Sequence, residues 1–296
     1  MNHLSKHKRR FIAVCMVVPV ILLLCFVVYP MLDMIRMSFT DWDGISQKQN
    51  FIGLKNYMDM LTKSSDLWLS LRNNLVYFVF HLLFIPIELM IASMLNTKFL
   101  GAKFFKSVTF LPYILNGVAI AYTFAYFFSP INGGLNSILE LFGLEIWIQN
   151  WLADVGIVNQ VLASVSVWRF SGYHIILFIA AMQSIPKEFG EAAMVDGANA
   201  VQIFRYIQLP SIQLVIDFVL FTNVTGALQT FDLPFVMTAG GPGYASSTFT
   251  LYTINTAFKF NSFGMAATMA VAMILLIVLI YGGQRFIVKA VRKERV

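Results

Sequence analysis

The chain has 296 residues, of which 58% are hydrophobic and 12% charged. Soluble domains carry about 25% charged residues, so the composition excludes an ordinary water-soluble fold. The net charge of +6 does not mark a nucleic-acid binder either, because the cations gather at the two ends beside apolar runs. Lys6, Lys8, Arg9 and Arg10 lie at one end, and Arg285, Lys289, Arg292, Lys293 and Arg295 at the other. That is the juxtamembrane pattern of cytoplasmic segments.

A bilayer-spanning helix needs about 20 apolar residues, and six segments qualify. The first, 11–32, is uncharged. Its basic flank is like that of a signal peptide, but the apolar run is too long and no small-x-small cleavage site precedes Asp33, so it reads as an uncleaved span. Cys15 and Cys25 lie roughly 15 Å apart on this helix, too far to bridge. The second span, 73–95, is broken only by Glu88. His81 stands on the same face, as either a functional partner for Glu88 or a bundle-stabilising one, since ionisable groups at this depth are expensive. The third, 107–139, is uncharged, with its helix expected to end near Phe128, before Ser129-Pro130-Ile131-Asn132-Gly133-Gly134. The fourth, 155–183, carries Arg169. The fifth, 211–236, carries Asp217 and Asp232, and the sixth, 260–284, is uncharged.

Six spans put both termini on one side, and the positive-inside rule chooses it. With the N-terminus inside, 1–10, 96–106, 184–210 and 285–296 hold 4, 3, 2 and 5 Lys/Arg, which is 14 in all. The outer segments hold four: Lys48, Lys55, Lys63 and Lys259. Both termini are therefore expected in the cytoplasm. No repeat or low-complexity linker divides the chain, so one membrane domain is expected.

The sequence offers no catalytic constellation. His3, His7, His81 and His174 fit no metal-ligand spacing; His3 and His7 at i, i+4 read as a solvated tail. There is no nucleophile elbow and no phosphate-binding G-x-x-x-x-G-K-[ST] loop. No catalytic residue, no metal site and no cofactor bound by this chain are expected.

The stretch "EAAMVDGANAVQIFRYIQLP", Glu191 to Pro210, is unlike its surroundings. Pro186 can open a helix, and Asp196-Gly197 can stop one, with glycine in the left-handed region. Asn199 is a good N-cap, and Gln202 can complete a capping box with it. Val201, Phe204 and Ile207 follow at helical spacing, and Pro210 is expected to end the element. The pattern is a helix–turn–helix hairpin with small residues, Ala192, Ala193, Ala198 and Ala200, along the turn. Such a hairpin either folds against its own spans or docks a cytoplasmic partner.

This stretch resembles the EAA loop of the membrane subunits of binding-protein-dependent ABC importers, with Glu191, Ala192, Ala193, Asp196, Gly197, Ala198, Phe204, Leu209 and Pro210 in register. "YPMLDMIRMSFTDWDG", "FIGLKNY", "FLPYIL", "INGGLN", "VWRFSGYHIILFIAAMQSIPKEFGEAA" and "FDLPFVMTAGGPGYASSTFTLYTINTAF" are similar to segments of carbohydrate importers of the maltose and glycerol-phosphate type. The resemblance runs through most of the chain, and within the family it is to the first of two unlike permease subunits. It implies an all-α membrane protein with six transmembrane helices and a cytoplasmic EAA hairpin over 186–210. An ABC transporter type-1 transmembrane domain would cover 11–288, flanked by tails 1–10 and 289–296. It implies a second permease, two ATPases carrying ATP and Mg, and an extracytoplasmic solute-binding protein as partners. The hairpin would lie in a cleft of the ATPase, with Glu191 in electrostatic contact, Gly197 permitting the turn and Phe204 packing within the hairpin.

The same resemblance implies a sugar site near mid-membrane at Tyr113, Gly117, Ser166, Arg169, Phe170 and Tyr173. Only the tyrosines match that pattern closely. Gly117 replaces a hydroxyl residue, Ser166 an amide, and Arg169 an apolar residue. A mid-span arginine must face the pore, favouring an acidic or phosphorylated solute, or pair with Asp217 or Glu88. The function implied is import of a carbohydrate, an oligosaccharide or an acidic one, by alternating access. The alternatives are a non-sugar solute such as glycerol phosphate, or a membrane-embedded enzyme.

Overall fold

A computed structural model describes residues 6–97 and 99–293; His3 and the extreme ends of the two expected tails lie outside these. Among the described residues the chain is helical apart from loops and one β-bridge, Thr40 with Phe51. Among the described residues, five helical stretches are long and apolar enough to cross a membrane: Arg10–Met37, Ser65–Asn96, Val158–Gln183, Gln213–Thr238 and Phe263–Phe286. The remaining crossing, expected over 107–139, is a bent pair, α5 (Ala102–Ile114) and α6 (Gly117–Phe127), meeting at 94°. The helix ends at Phe127, as the turn residues after it predict, but the break in its middle was not expected.

Prolines shape the helices without ending them. α1 (Lys6–Leu23) runs into α2 (Tyr29–Met37) through a π turn at Leu24–Val28. Pro30 lacks an N–H and its ring crowds the carbonyl four residues earlier, and the wider turn absorbs both defects. The same device, a π turn at Phe204–Gln208, precedes Pro210. Pro210 therefore does not end its element, contrary to the sequence reading; the helix passes through it to Ser211.

The chain forms two compact units. One holds the described residues up to Ser64 together with Thr253–Leu276. Here Asn56 in α3 (Lys55–Lys63) donates to the carbonyls of Ser38 and Thr40 at 3.1 and 2.8 Å, and Thr268 donates to the Ser38 carbonyl at 2.9 Å. These bonds satisfy backbone acceptors just past the end of α2, where no helical partner remains. The first span has no buried stretch within the chain. A helix that is apolar all round and uncovered is one whose solvent is lipid or another subunit.

The other unit holds Ser65–Tyr252 and the described residues from Ile277 onward. Its centre is α8 (Val158–Gln183), which packs along α4 (Ser65–Asn96) and α5, while α12 (Gln213–Gln229) crosses α4. Half of the most apolar stretch of α8 is buried. One apolar cluster forms around Tyr77, Leu162 and Leu233, and a second around Leu89, Phe178 and Ile212. Irregular backbone inside a membrane protein needs protein partners, and three buried asparagines supply them to the segment after α13 (Asp232–Thr238). Asn73 donates to the Ser247 carbonyl at 2.9 Å and Asn159 to the Ala245 carbonyl at 2.7 Å, while Asn74 accepts from the Phe249 N–H at 2.8 Å.

Candidate functional site

The site begins with the break in the third span. After Pro112 the chain becomes extended at Leu115 and Asn116, and Asn116 then caps α6 by accepting from the N–H groups of Val118 and Ala119 at 2.9 and 3.3 Å. Ser, Thr, Asn and Asp favour such starts because their side chains replace the missing helical acceptor. The α5 backbone at Thr109 rests on Gly172 of α8, where a Cβ would collide with it. That close approach brings Tyr113 against Tyr173 with ring centroids 4.7 Å apart and planes at 18°, a stacked pair. Phe170 meets Tyr113 edge-on at 6.0 Å.

These rings form one wall of a cavity of about 380 Å³ within the second unit, inside the range of about 300–1,000 Å³ usual for small-molecule sites. Of the sequence-predicted residues, Tyr113, Ser166, Phe170 and Tyr173 line it. The opposite wall comes from α12 and the start of α13: Thr222, Asn223, Gly226, Gln229, Thr230 and Asp232. Sequence reasoning missed this wall. Asn223 is 4% exposed, and neither its amide nitrogen nor its oxygen has a partner. A buried amide left unbonded costs about 1–3 kcal/mol per group, which sets Asn223 apart from the other polar residues of this wall.

His81 and His174 complete the polar side, and Glu88, outside the lining, bonds His174. The sequence placed His81 and Glu88 together on one face of α4, and they do share it, facing α8 rather than each other. His81 Nε2 lies 3.0 Å from Ser166 Oγ, and Glu88 Oε2 lies 3.0 Å from His174 Nδ1. The two imidazoles meet edge-on at 6.3 Å, and both line the cavity.

Arg169 takes neither partner proposed for it. Its guanidinium binds Asp232, with Nη1 donating to Oδ2 at 2.5 Å, and stacks over Phe170 at 5.0 Å. Glu88 is engaged by His174 instead, and Asp217 lines a different cavity beside Tyr281, Gln284 and Arg285. The reason is a second break. α12 stops at Gln229, the chain turns at Thr230 and Phe231, and Asp232 opens α13 beside α6 and α8. The Arg169 side chain is 14% exposed and Asp232 38% exposed, so the carboxylate is the member that meets the cavity. Gly117 sits against the pair, and a Cβ there would overlap Asp232 Oδ2 and the guanidinium nitrogens. The missing side chain at Gly117 is thus the space the ion pair fills.

Away from the cavity, α9 (Lys187–Val195) and α10 (Ala200–Ile203) form a helix–turn–helix hairpin. Gly197 has φ +85°, in the left-handed region, and Asn199 and Gln202 make the full reciprocal capping box at 2.8 and 2.9 Å. Glu191, Ala192 and Asp196 are exposed; Ala193 and Ala198 are half-buried. Phe204 does not pack within the hairpin. It joins Leu209 against the cluster around Leu89 and Phe178, because the π turn carries it back to the span core. Val195, Val201 and Tyr206 are left 87%, 72% and 69% exposed.

The family model described as "Binding-protein-dependent transport system inner membrane component" matches residues 4–293. The chain belongs to that family. It is 32% identical to the multiple sugar-binding transport system permease protein MsmF of Streptococcus mutans, over 89% of each chain. It is also 32% identical to the lactose transport system permease protein LacF of Rhizobium radiobacter, over 85% of each. The crystal structure of a bacterial ABC transporter involved in import of the acidic polysaccharide alginate has the same fold, with TM-score 0.83, 96% of each chain covered and 23% identity. The permease is thus a multi-pass membrane protein of a transport system, and the helix breaks at 115–116 and 230–231 belong to the part of it that forms a cavity.

Proposed function

We propose that this permease is one of two membrane subunits of an ATP-driven importer that moves a neutral carbohydrate through the 380 Å³ cavity. The observation that carries the reading is the cavity's chemistry. Stacked Tyr113 and Tyr173 offer a flat apolar face of the kind on which a sugar ring rests, and Asn223, whose buried amide has no partner within the chain, lines the same cavity. MsmF and LacF, named for sugar and lactose transport, support the solute class. The charge on the wall is the Asp232 carboxylate, while Arg169 is held behind it. That arrangement favours a neutral solute over the acidic one that a pore-facing arginine would select.

Both termini and the hairpin lie on the cytoplasmic side in this reading, since 14 of the loop and tail cations are there against four outside. The hairpin docks in a cleft of one of two ATPases, which bind ATP and Mg. Glu191 and Asp196 supply charge, exposed Val195, Val201 and Tyr206 are covered by the partner, and Gly197 holds the turn. Closure of the ATPases then moves the spans as rigid bodies and gives alternating access. A solute-binding protein delivers the sugar from outside. The test is ATP-dependent uptake by proteoliposomes holding both permeases and the ATPases, supplied with the binding protein. Labelled maltose, lactose, raffinose and a mannuronate trisaccharide are compared. Uptake of a neutral sugar that needs every component is expected. Preference for the mannuronate overturns the neutral-solute reading, and uptake by this chain alone overturns the importer.

A further inference from the structure

We infer that Glu88 is a positioning residue for the solute: it holds His174 by Nδ1 so that the imidazole meets a sugar hydroxyl in the cavity as a fixed hydrogen-bonding group. The inference rests on the carbohydrate reading above and adds to it two residues, His174 and Glu88, that neither the sequence nor the resemblance placed at the solute.

Glu88 is 2% exposed on α4, deep in a span where an ionisable group is expensive and is retained only with a partner or a task. Its partner is on α8, at 3.0 Å through Oε2, and Oε1 has no hydrogen bond at all. A residue whose only task was to join α4 to α8 would be better served by an amide, which is neutral and costs less to bury than a carboxylate. A carboxylate does something an amide does not: it has no N–H to offer, so Nδ1 must be the donor, whereas an amide can turn and present either its oxygen or its nitrogen. The carboxylate thereby fixes the imidazole tautomer, and its charge makes the far nitrogen, Nε2, a better acceptor. His174 lines the cavity, and Nδ1 is already taken, so Nε2 is the ring atom left for a solute.

The neighbouring rings keep that imidazole in place. His81 packs edge-on at 6.3 Å and is itself bonded to Ser166, and the Tyr173 ring lies 5.8 Å from that of His174. Tyr173 also stacks on Tyr113, so the hydrogen-bonding nitrogen and the sugar-stacking face share one rigid block. Asn223 lines the same cavity, and its buried amide has no partner within the chain. A sugar ring lying on the outer face of this stacked pair would share the cavity with Nε2 of His174 and with the Asn223 side chain. Hydroxyl groups, which donate and accept, fit both.

The test uses the complete importer in proteoliposomes with its binding protein and the neutral sugar it takes up best among maltose, lactose and raffinose. Glu88→Gln, His174→Gln and the double variant are read for sugar moved per ATP hydrolysed. Each single variant is expected to lower that ratio ten-fold or more, and the double to fall no further than His174→Gln alone, because Glu88 acts only through His174. Uptake and hydrolysis falling together at a constant ratio, or a double variant at the product of the two losses, makes Glu88 a structural residue and overturns the inference. Should Glu88→Gln fail to assemble, diethylpyrocarbonate modification of the unaltered importer decides. Sugar delivered by the binding protein is expected to protect His174, and unchanged modification of His174 overturns the inference. If the unaltered importer moves none of the three sugars, the carbohydrate reading falls and takes this inference with it.

Discussion

The Arg169–Asp232 pair makes an asymmetric prediction. Removing either charge strands the other, but the two stranded groups sit in different surroundings. Arg169→Leu leaves Asp232, whose side chain is 38% exposed on the cavity wall. Water reaches it, so the loss is that of a solvent-screened pair, about 1 kcal/mol. Asp232→Ala leaves a guanidinium that is 14% exposed and whose Nε already lacks a partner. A charge stranded in the interior costs about 3–5 kcal/mol, so about 3 kcal/mol is expected after allowing for the remaining contact with Phe170. The double variant carries neither charge and should return to within about 1 kcal/mol of the unaltered protein, since nothing remains to be desolvated. The assay is the thermal denaturation midpoint and yield of the purified importer complex. The expected order is unaltered, double, Arg169→Leu, then Asp232→Ala. Gly117→Ala should reproduce the pair-splitting defect from the other side, because its Cβ occupies the place of Asp232 Oδ2. Equal losses in the two single variants, or a double variant showing their sum, would refute the reasoning.

Three further outcomes are expected. Gly197→Val forces a β-branched residue to φ +85°, at a cost on the order of 1–3 kcal/mol, and should abolish uptake and ATPase co-purification while the chain still inserts; normal transport would remove the docking role. After replacement of Cys15 and Cys25, cysteines introduced at Lys55 and at Ile146, which is 88% exposed, should label from outside intact cells, and one at Lys293 only after permeabilisation. Labelling of residue 293 in intact cells reverses the topology. Tyr173→Leu should lower sugar uptake ten-fold or more while Tyr173→Phe retains most of it, because the stack with Tyr113 needs a ring rather than a hydroxyl; equal loss in both would move the interaction to the phenol.

The spans were legible because a bilayer asks for one thing, about 20 apolar residues in a row, and a window of that length averages over everything else. The same averaging hid the two breaks. Leu115-Asn116 and Thr230-Phe231 are as acceptable to a hydropathy window as any helical dipeptide, and only the turn chemistry betrays them: Asn116-Gly117 in one case, Pro234 shortly after Asp232 in the other. The hairpin was legible for the opposite reason. Its caps and its positive-φ glycine are local, so Asn199, Gln202 and Gly197 specify it without help from the rest of the fold.

Pairings between spans follow from neither rule. Arg169 and Asp232 are 63 positions apart, and Glu88 and His174 86 apart. What decides them is which faces of α4, α8 and α13 meet, and this depends on the unforeseen break that starts α13 at Asp232. The sequence reading offered Arg169 two carboxylates within the spans, Asp217 and Glu88, and passed over Asp232 near the end of one. The break inverted that order, because it turns the end of α12 back toward the cavity and makes a span-terminal aspartate the nearest one. The same step converts Arg169 from a candidate solute ligand into the group that neutralises the cavity wall. The inference about the solute's charge therefore rests on a turn of two residues, Thr230 and Phe231, and not on the arginine itself.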